Sequence, residues 1–498
     1  MSRIVALPTL AVAAFLAARL TAWPPHEDEM LALHVARGSL GELVDTVVEE
    51  RGGAPLHFVL AWLVEQLGGG LTGLRALSAI FAVAAIPVVA AIARRLADER
   101  AAVIAAVVAA SSWVLLFHAV YARMYSLFLL ASALSYLALL RARTPWGWAL
   151  WGAAILVTVA THPYGALVLA SQGVYVLLTR ERLRQAIPAF AAVAVLGIPF
   201  WIIDLVLAGR FDVGVGPGQA GIATYLWDAA ADFSAGPIVV PAVLVLAGLG
   251  LWRLPRRSAL LIGVVVAVPT LALLVAQLGS AAVPETRHLI FVLPFFATAV
   301  AAGVVSRPPR PAVALTVLLA AGGVTWAWDK TPSLFLGEPE ERVAGRAAAA
   351  AWLADTGRAN DLALGYDPVF LAAGGRPLVL PRADAGLQLR ALERAPKPLG
   401  RGVWVFSVWG PASVEQRLAV AARLPRPVDA FEARTFGPYL LLRTREPTRT
   451  VERYLERSAA VMVVGKALGI ADADLNFAIV ARVYDSSSST SSASTTSR

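Results

Sequence analysis

Through about its first 330 residues the chain alternates long apolar runs with short polar interruptions. A helix needs about 20 mostly apolar residues to cross a bilayer. Such runs fall at 4–22, 73–93, 101–117, 124–140, 145–161, 163–179, 187–207, 237–252, 258–279, 288–306 and 311–328. The pattern therefore predicts about 11 transmembrane helices. A further stretch, 55–66 (PLHFVLAWLVEQ), is too short and carries His57 and Glu65, so it is expected to lie at the interface. Residues 4–22 also suit a cleaved signal, but the spans that follow favour a first crossing, and either way residue 28 ends on the same side.

Arginine tests the alternation. With the N-terminus inside, the cytoplasmic loops carry Arg94, Arg95 and Arg100; Arg141 and Arg143; Arg180, Arg182 and Arg184; Arg253, Arg256 and Arg257; and Arg307 and Arg310. Each of these loops is basic, as the positive-inside rule requires. The polar stretches WPPHEDEM (23–30), FHAVYARMYS (117–126), THPYG (161–165) and VPETRHLI (283–290) then all fall at outer ends of spans. The expected layout is a multi-pass protein of a bacterial plasma membrane, N-terminus cytoplasmic and C-terminus outside.

Beyond 330 the periodicity is that of a folded aqueous domain. Helices are expected at 338–356 and 412–424, buried strands at 362–365 and 403–407, and a closing strand at 439–445. The resulting division is a transmembrane domain over 1–330 with a first outer loop at 23–72, a small extracytoplasmic α/β domain over 331–446, a helical extension over 447–484, and a disordered Ser/Thr-rich tail over 485–498.

Composition agrees with the patterning. Of 498 residues, 58% are hydrophobic and 15% charged, against roughly 25% charged in soluble domains. The net charge of +9 is spent in the short loops, which argues against a nucleic-acid partner. With no cysteine there is no disulfide framework and no thiolate site. Phosphate-binding GxxxxGK[ST] and dinucleotide GxGxxG motifs are absent as well.

The candidate chemistry lies in the outer-end motifs. Glu27, Asp28 and Glu29 follow Pro24 and Pro25, which end the first span, and open a short helix expected over 30–37. Adjacent helical positions fan apart, so at most two of the three can serve one point. A carboxylate there suits a general base or a metal ligand, or simply a helix N-terminus. Arg123 and Arg287 sit where orientation does not require arginine; guanidinium groups hold phosphate in a bidentate grip. His118, His162 and His288 join them, with His57 in the first outer loop. Tyr121, Tyr125 and Tyr164 suit either sugar stacking or an interfacial aromatic belt. The oxygen and imidazole groups fit Mg²⁺ or Mn²⁺ only loosely, with no HExxH-like spacing, so a divalent cation is an option without a dedicated motif.

This ordered set resembles the GT-C glycosyltransferases, in particular the branch of protein O-mannosyltransferases and aminoarabinose transferases. The resemblance runs from the acidic pair Asp28-Glu29 through GAPLH (53–57), LRALS (74–78), ARRL (93–96), ARMY (122–125) and Thr161-His162 to Arg287 and Pro294. Three departures are visible: Val120-Tyr121 stand where the family commonly has an acidic residue before "AR", His57 replaces a usual aromatic, and Gly53-Ala54 replace its "HP". The resemblance implies a polyprenyl-phosphate-linked sugar as donor, an acceptor hydroxyl on a lipid, glycan or protein, and inversion at the anomeric carbon. It further implies Asp28 as catalytic base, with Glu29 orienting or replacing it. Donor phosphate binding would fall to Arg123, Arg287 and His162, with Glu27, His57, His118, Tyr121, Tyr125, Tyr164 and His288 lining the substrate. The alternative is a polytopic transporter or lipid flippase, which would call for charge deep within spans, where Asp204 is the main example.

Overall fold

The computed structural model of the chain describes residues 3–51, 53–180, 182–210, 222–278, 286–373, 378–380, 385–407 and 430–467. The helix expected at 412–424, the tail beyond 485 and the extension beyond 467 lie outside the described residues. The chain is mostly helical and divides into two compact units. One comprises Met1–Pro24 and Val35–Gly337; the other joins Pro25–His34 to Glu338–Arg498.

Among the described residues of the first unit, four helices are long and apolar enough to cross a membrane: Gly70–Leu96, Arg256–Leu273, Thr286–Val305 and Pro309–Lys330. Three further pairs of helices are apolar enough together but are bent at a short break, and four apolar helices of 10–17 residues remain, at Ile4–Arg19, Tyr125–Arg141, Pro145–Thr161 and Gly165–Thr179. Helix length and composition thus account for up to seven spans. The stretch at 55–66 is a separate helix, Pro55–Gln66.

The breaks have local causes that apolar patterning does not register. The run expected at 101–117 is two helices meeting at 54°, because Ser112 is extended (φ −69°, ψ 140°) and its hydroxyl bonds back to Ala109. The run at 187–207 turns by 55° at Gly197, with Pro199 unable to donate in the next helix. At 237–252 the chain turns by 105°: Gly236 takes φ 92°, Pro237 follows, and the preceding arm is the helix Ile222–Phe233, which the apolar runs had left in a loop.

Polar side chains inside the apolar helices return their hydrogen bonds to their own backbone. Thr158, Thr161, Ser234 and Thr298 donate to Ala154, Val157, Ala230 and Pro294. Others tie helices together. Trp151 donates to Gln172 (2.6 Å), Gln172 donates to Ser135 (2.8 Å), and Tyr136 shares a proton with Ser171 (2.5 Å). This buried network pins Tyr125–Arg141, Pro145–Thr161 and Gly165–Thr179 to one another, and the same three helices bear Tyr125, His162 and Tyr164 at their ends. Arg75, 2% exposed, donates to the carbonyls of Trp23 and Pro24 at 2.7 and 3.1 Å. Those carbonyls follow the first helix, where no intrahelical N–H takes them up, and Arg75 supplies the donors.

The second unit is built on a five-stranded sheet in the order β2-β1-β3-β5-β4. The strands are β1 Leu362–Leu364, β2 Leu378–Leu380, β3 Gly402–Ser407, β4 Phe431–Phe436 and β5 Tyr439–Thr444. β2, β1 and β3 are parallel; β5 and β4 complete the sheet antiparallel. Successive residues face opposite sides. Val403, Tyr439 and Leu441 pack on Ala349 and Leu353 of the helix Glu340–Thr356, while Trp404, Leu440 and Leu442 pack on Tyr454 and Val461 of the helix Val451–Ala467.

In the first unit, Val240–Arg253 crosses Leu293–Val305 with backbone against backbone. A Cβ at Gly250 would overlap the Ala299 carbonyl oxygen, and one at Gly303 the Leu246 carbonyl oxygen, whereas a Cβ at Gly248 meets nothing. Gly250→Ala and Gly303→Ala are therefore expected to lower thermal stability in detergent by several degrees or to abolish folded yield. Gly248→Ala should behave as wild type, and equal loss in all three would refute this crossing.

Candidate functional site

Three short connections carry the polar side chains of the first unit. The turn Tyr121–Met124 links Trp113–Val120 to Tyr125–Arg141 and holds Arg123. The turn at 162–164 links two apolar helices so tightly that a Cβ on Gly165 would press into the Val159 backbone. A 3-10 helix, Thr286–Val292, delivers Arg287 and His288 into the span that is 83% buried in this unit.

These connections converge on Tyr125. Its ring lies 4.8 Å from His118, 5.7 Å from His162 and 5.9 Å from His288, with the Arg287 guanidinium 5.3 Å from its centroid. His162 and His288 are 5.4 Å apart, and Tyr164 is 5.2 Å from His288. Tyr121 stacks on Phe117 and reaches His118 at 5.9 Å. Seven residues singled out in the sequence thus form one cluster, and Arg123 joins it as a neighbouring charge of His162. Arg123 is also a charge acting on His57.

The cluster carries positive charge. The charges acting on His118 are Arg287, His288 and Lys330; those acting on His162 are His288, Arg123 and Arg287. His162 Nδ1 accepts from the Tyr164 N–H at 3.1 Å, which leaves Nε2 as the nitrogen that bears the proton and can donate. His118 is 1% exposed within a box of Trp113, Phe117, Tyr121 and Tyr125, and among the described residues neither ring nitrogen has a hydrogen-bond partner. The same holds for His57 Nε2. Buried polar atoms left in that state are costly unless a ligand or water reaches them. Burial, reinforced by Arg123, pushes His57 down to about 3, so its ring is neutral at physiological pH.

One member of this region is absent from the sequence reading. Asp232, fully buried on Ile222–Phe233, accepts from Thr286 (2.6 Å), Trp326 (3.0 Å) and Lys330 (2.7 Å to each oxygen). Lys330 also lies 3.7 Å over the Trp113 ring. Asp232 therefore anchors the residue immediately before Arg287. Its sequence signal is weak: it is one of two acids, Asp228 and Asp232, four residues apart in a segment otherwise read as loop.

The acidic residues belong to the second unit. The helix opens at Glu27, three residues earlier than the apolar pattern suggested, because His26 caps it: Asp28 donates its backbone N–H to His26 Nδ1 (3.1 Å), and the Glu29 carboxylate accepts the His26 N–H (3.0 Å). Glu29 is fully buried in this role. Glu27 instead accepts the backbone N–H of Tyr366 at 3.0 Å. The three carboxylates diverge, and two of them hold backbone. Among the described residues no group of three or more His, Asp or Glu side chains could hold a metal ion.

No protein-family model matches the sequence, and no curated protein matches it either. Solved structures do. ArnT from Cupriavidus metallidurans bound to undecaprenyl phosphate superimposes with a TM-score of 0.58 at 14% identity, over 88% of this chain and 97% of that one. The archaeal oligosaccharyltransferase AglB from Archaeoglobus fulgidus, in complex with an inhibitory peptide and a dolichol-phosphate, does so with 0.51 at 12%, over 80% and 69%. The chain shares the fold of these GT-C glycosyltransferases.

Two outcomes follow from the geometry. The unfolded chain protonates His57 near the ordinary histidine value, whereas the folded chain resists until about 3, so acidification within that window favours unfolding. Thermal stability should fall from about pH 7 to about pH 4, and His57→Phe should flatten part of that slope; an unchanged slope would contradict a neutral buried ring. Replacing Asp232 with Leu strands Lys330 and frees Thr286, a loss of about 3–5 kcal/mol for a broken buried pair. Calorimetry should show Asp232→Leu well below the double variant Asp232→Leu/Lys330→Met, whereas equal loss in the two would deny the pair its role.

Proposed function

We propose that this chain is an integral membrane glycosyltransferase that moves a sugar from a polyprenyl-phosphate donor to an acceptor hydroxyl at the outer membrane face, with inversion. The observation that carries this reading is the cationic cluster around Tyr125, with its unsatisfied imidazole nitrogens. Like charges gathered beside apolar helices repel one another, and an anion is the ligand that offsets this. A phosphate carried on an isoprenoid is an anion that arrives from within the bilayer. The ligands named for the two similar structures, undecaprenyl phosphate and a dolichol-phosphate, have that chemistry.

The reaction balances with groups present in the chain. Asp28 accepts the proton of the acceptor hydroxyl as that oxygen bonds to the anomeric carbon. The bond from that carbon to the phosphate oxygen breaks on the opposite side, and its electron pair leaves with the polyprenyl phosphate. Arg123 and Arg287, with the Nε2–H of His162, neutralise the growing phosphate charge. Glu29, already capping the helix, orients the segment. Eleven crossings, a cytoplasmic N-terminus and an extracytoplasmic second unit belong to the same proposal, which keeps the acceptor on the outer side.

Membranes expressing the chain should release undecaprenyl phosphate from undecaprenyl-phosphate-linked mannose or arabinose. Arg287→Gln should reduce that release about 10²–10³-fold, as the loss of one transition-state donor does, and Asp28→Asn should abolish it in protein that elutes as a single species. Wild-type turnover that survives Asp28→Asn would overturn the assignment of the base.

A further inference from the structure

The residues that carry the proposed base do not group with the helices on either side of them. Pro25–His34 packs with the residues after Gly337, and the contact is specific. β1 ends at Leu364; Gly365 takes φ 85° and turns the chain, and Asp367 caps the next helix, Pro368–Ala372, by accepting from Val369 at 2.8 Å. Tyr366, between them, is 7% exposed. Its backbone N–H donates to the Glu27 carboxylate at 3.0 Å, and its ring lies 5.2 Å from that of His34.

Glu27 and His34 are seven residues apart on one helix, so they share a face and lie about 10 Å apart along the axis. Two anchors on one face fix both the tilt of a helix and its rotation. Asp28 follows Glu27 and so projects about 100° further round the axis, off the anchored face. Its direction is therefore set by a contact it does not make itself.

The anchoring loop occupies a particular place in the sheet. β1 has β2 on one side and β3 on the other, so the chain leaves β1 toward one neighbour and later returns on the opposite side. The crevice beyond the carboxyl ends of strands at such a reversal is where open α/β sheets bind ligands. Here the loop after β1 binds the chain's own acidic helix.

We infer that the C-terminal α/β unit is the positioning element for Asp28, with Glu27, His34 and Tyr366 as its positioning residues. The inference rests on Asp28 being the base. Glu27 serves through the oxygen that accepts the Tyr366 N–H, and its negative charge is not required.

Glu27→Ala and Glu27→Gln in the full-length protein separate these roles. Donor turnover is read as release of undecaprenyl phosphate, and hydrogen–deuterium exchange is followed over 362–373. The Ala variant should lose about 10–100-fold in kcat with an unchanged donor KM, the usual scale of misplacing a reacting group, and should expose the Tyr366 amide to faster exchange. The Gln variant, which keeps an oxygen acceptor, should restore both. A Gln variant as impaired as Ala, or an Ala variant with wild-type kcat, overturns the inference. If the wild type turns over no donor, the glycosyltransferase reading fails by itself; the exchange arm then decides the anchoring, and unchanged exchange in Glu27→Ala overturns that too.

Discussion

A peptide N–H or C=O inside hydrocarbon must bond to another group of the protein, and the first unit is arranged around that constraint. Helices satisfy it internally; every departure from regular helix needs a local substitute. Ser112 supplies one with its hydroxyl at the break before Trp113, and Arg75 supplies another to the carbonyls of Trp23 and Pro24. The network of Ser135, Tyr136, Trp151, Ser171 and Gln172 extends the same accounting to side chains. Because each partner there is buried and already paired, the three helices cannot slide without stranding a polar atom, which costs about 1–3 kcal/mol. Tyr125, His162 and Tyr164 inherit that rigidity.

The cluster at the ends of those helices runs against the constraint. Charge is concentrated where burial makes it expensive, and the neighbours of His118 and His162 are themselves cationic. Such an arrangement survives only if the surrounding structure holds it. Asp232 does so at one remove: its two oxygens take four hydrogen bonds, and the Thr286 bond fixes the chain just before Arg287. The Asp232 carboxylate is committed to Lys330, Trp326 and Thr286. Under the proposed function, a phosphate brought to this cluster offsets part of the cost of assembling the cations.

Much of this was legible in the chain. Apolar runs of bilayer length mark the helices, and Arg123, Arg287, His118, His162 and His288 were singled out at the polar ends of those runs. Val403 and Leu441 against Trp404 and Leu442 show why the later strands could be read as buried on both faces. What escaped depends on interactions over long sequence separation. Ile222–Phe233 looked like a loop because it is short and interrupted at Gly236, and with it Asp232 escaped notice, since its partners lie 54 to 98 residues away. For Glu29, expected to orient or replace Asp28, the sequence left open which of three adjacent carboxylates closes the start of the helix. That choice was made by His26, whose ring and backbone both take part.

The acidic segment also shows why adjacency in sequence is a poor guide to shared work. Glu27, Asp28 and Glu29 are consecutive, yet one accepts from Tyr366, 339 residues away, and another from His26. Each of those bonds uses a carboxylate to hold a backbone N–H, which is an acceptor's task that an amide oxygen could share. Proton abstraction differs, because only an ionised carboxylate can do it. An aspartate at the middle position is also shorter by one methylene than its neighbours and has fewer rotamers to restrict. Fixing the helix through Glu27 therefore fixes the direction of position 28 as well, at little further entropic cost.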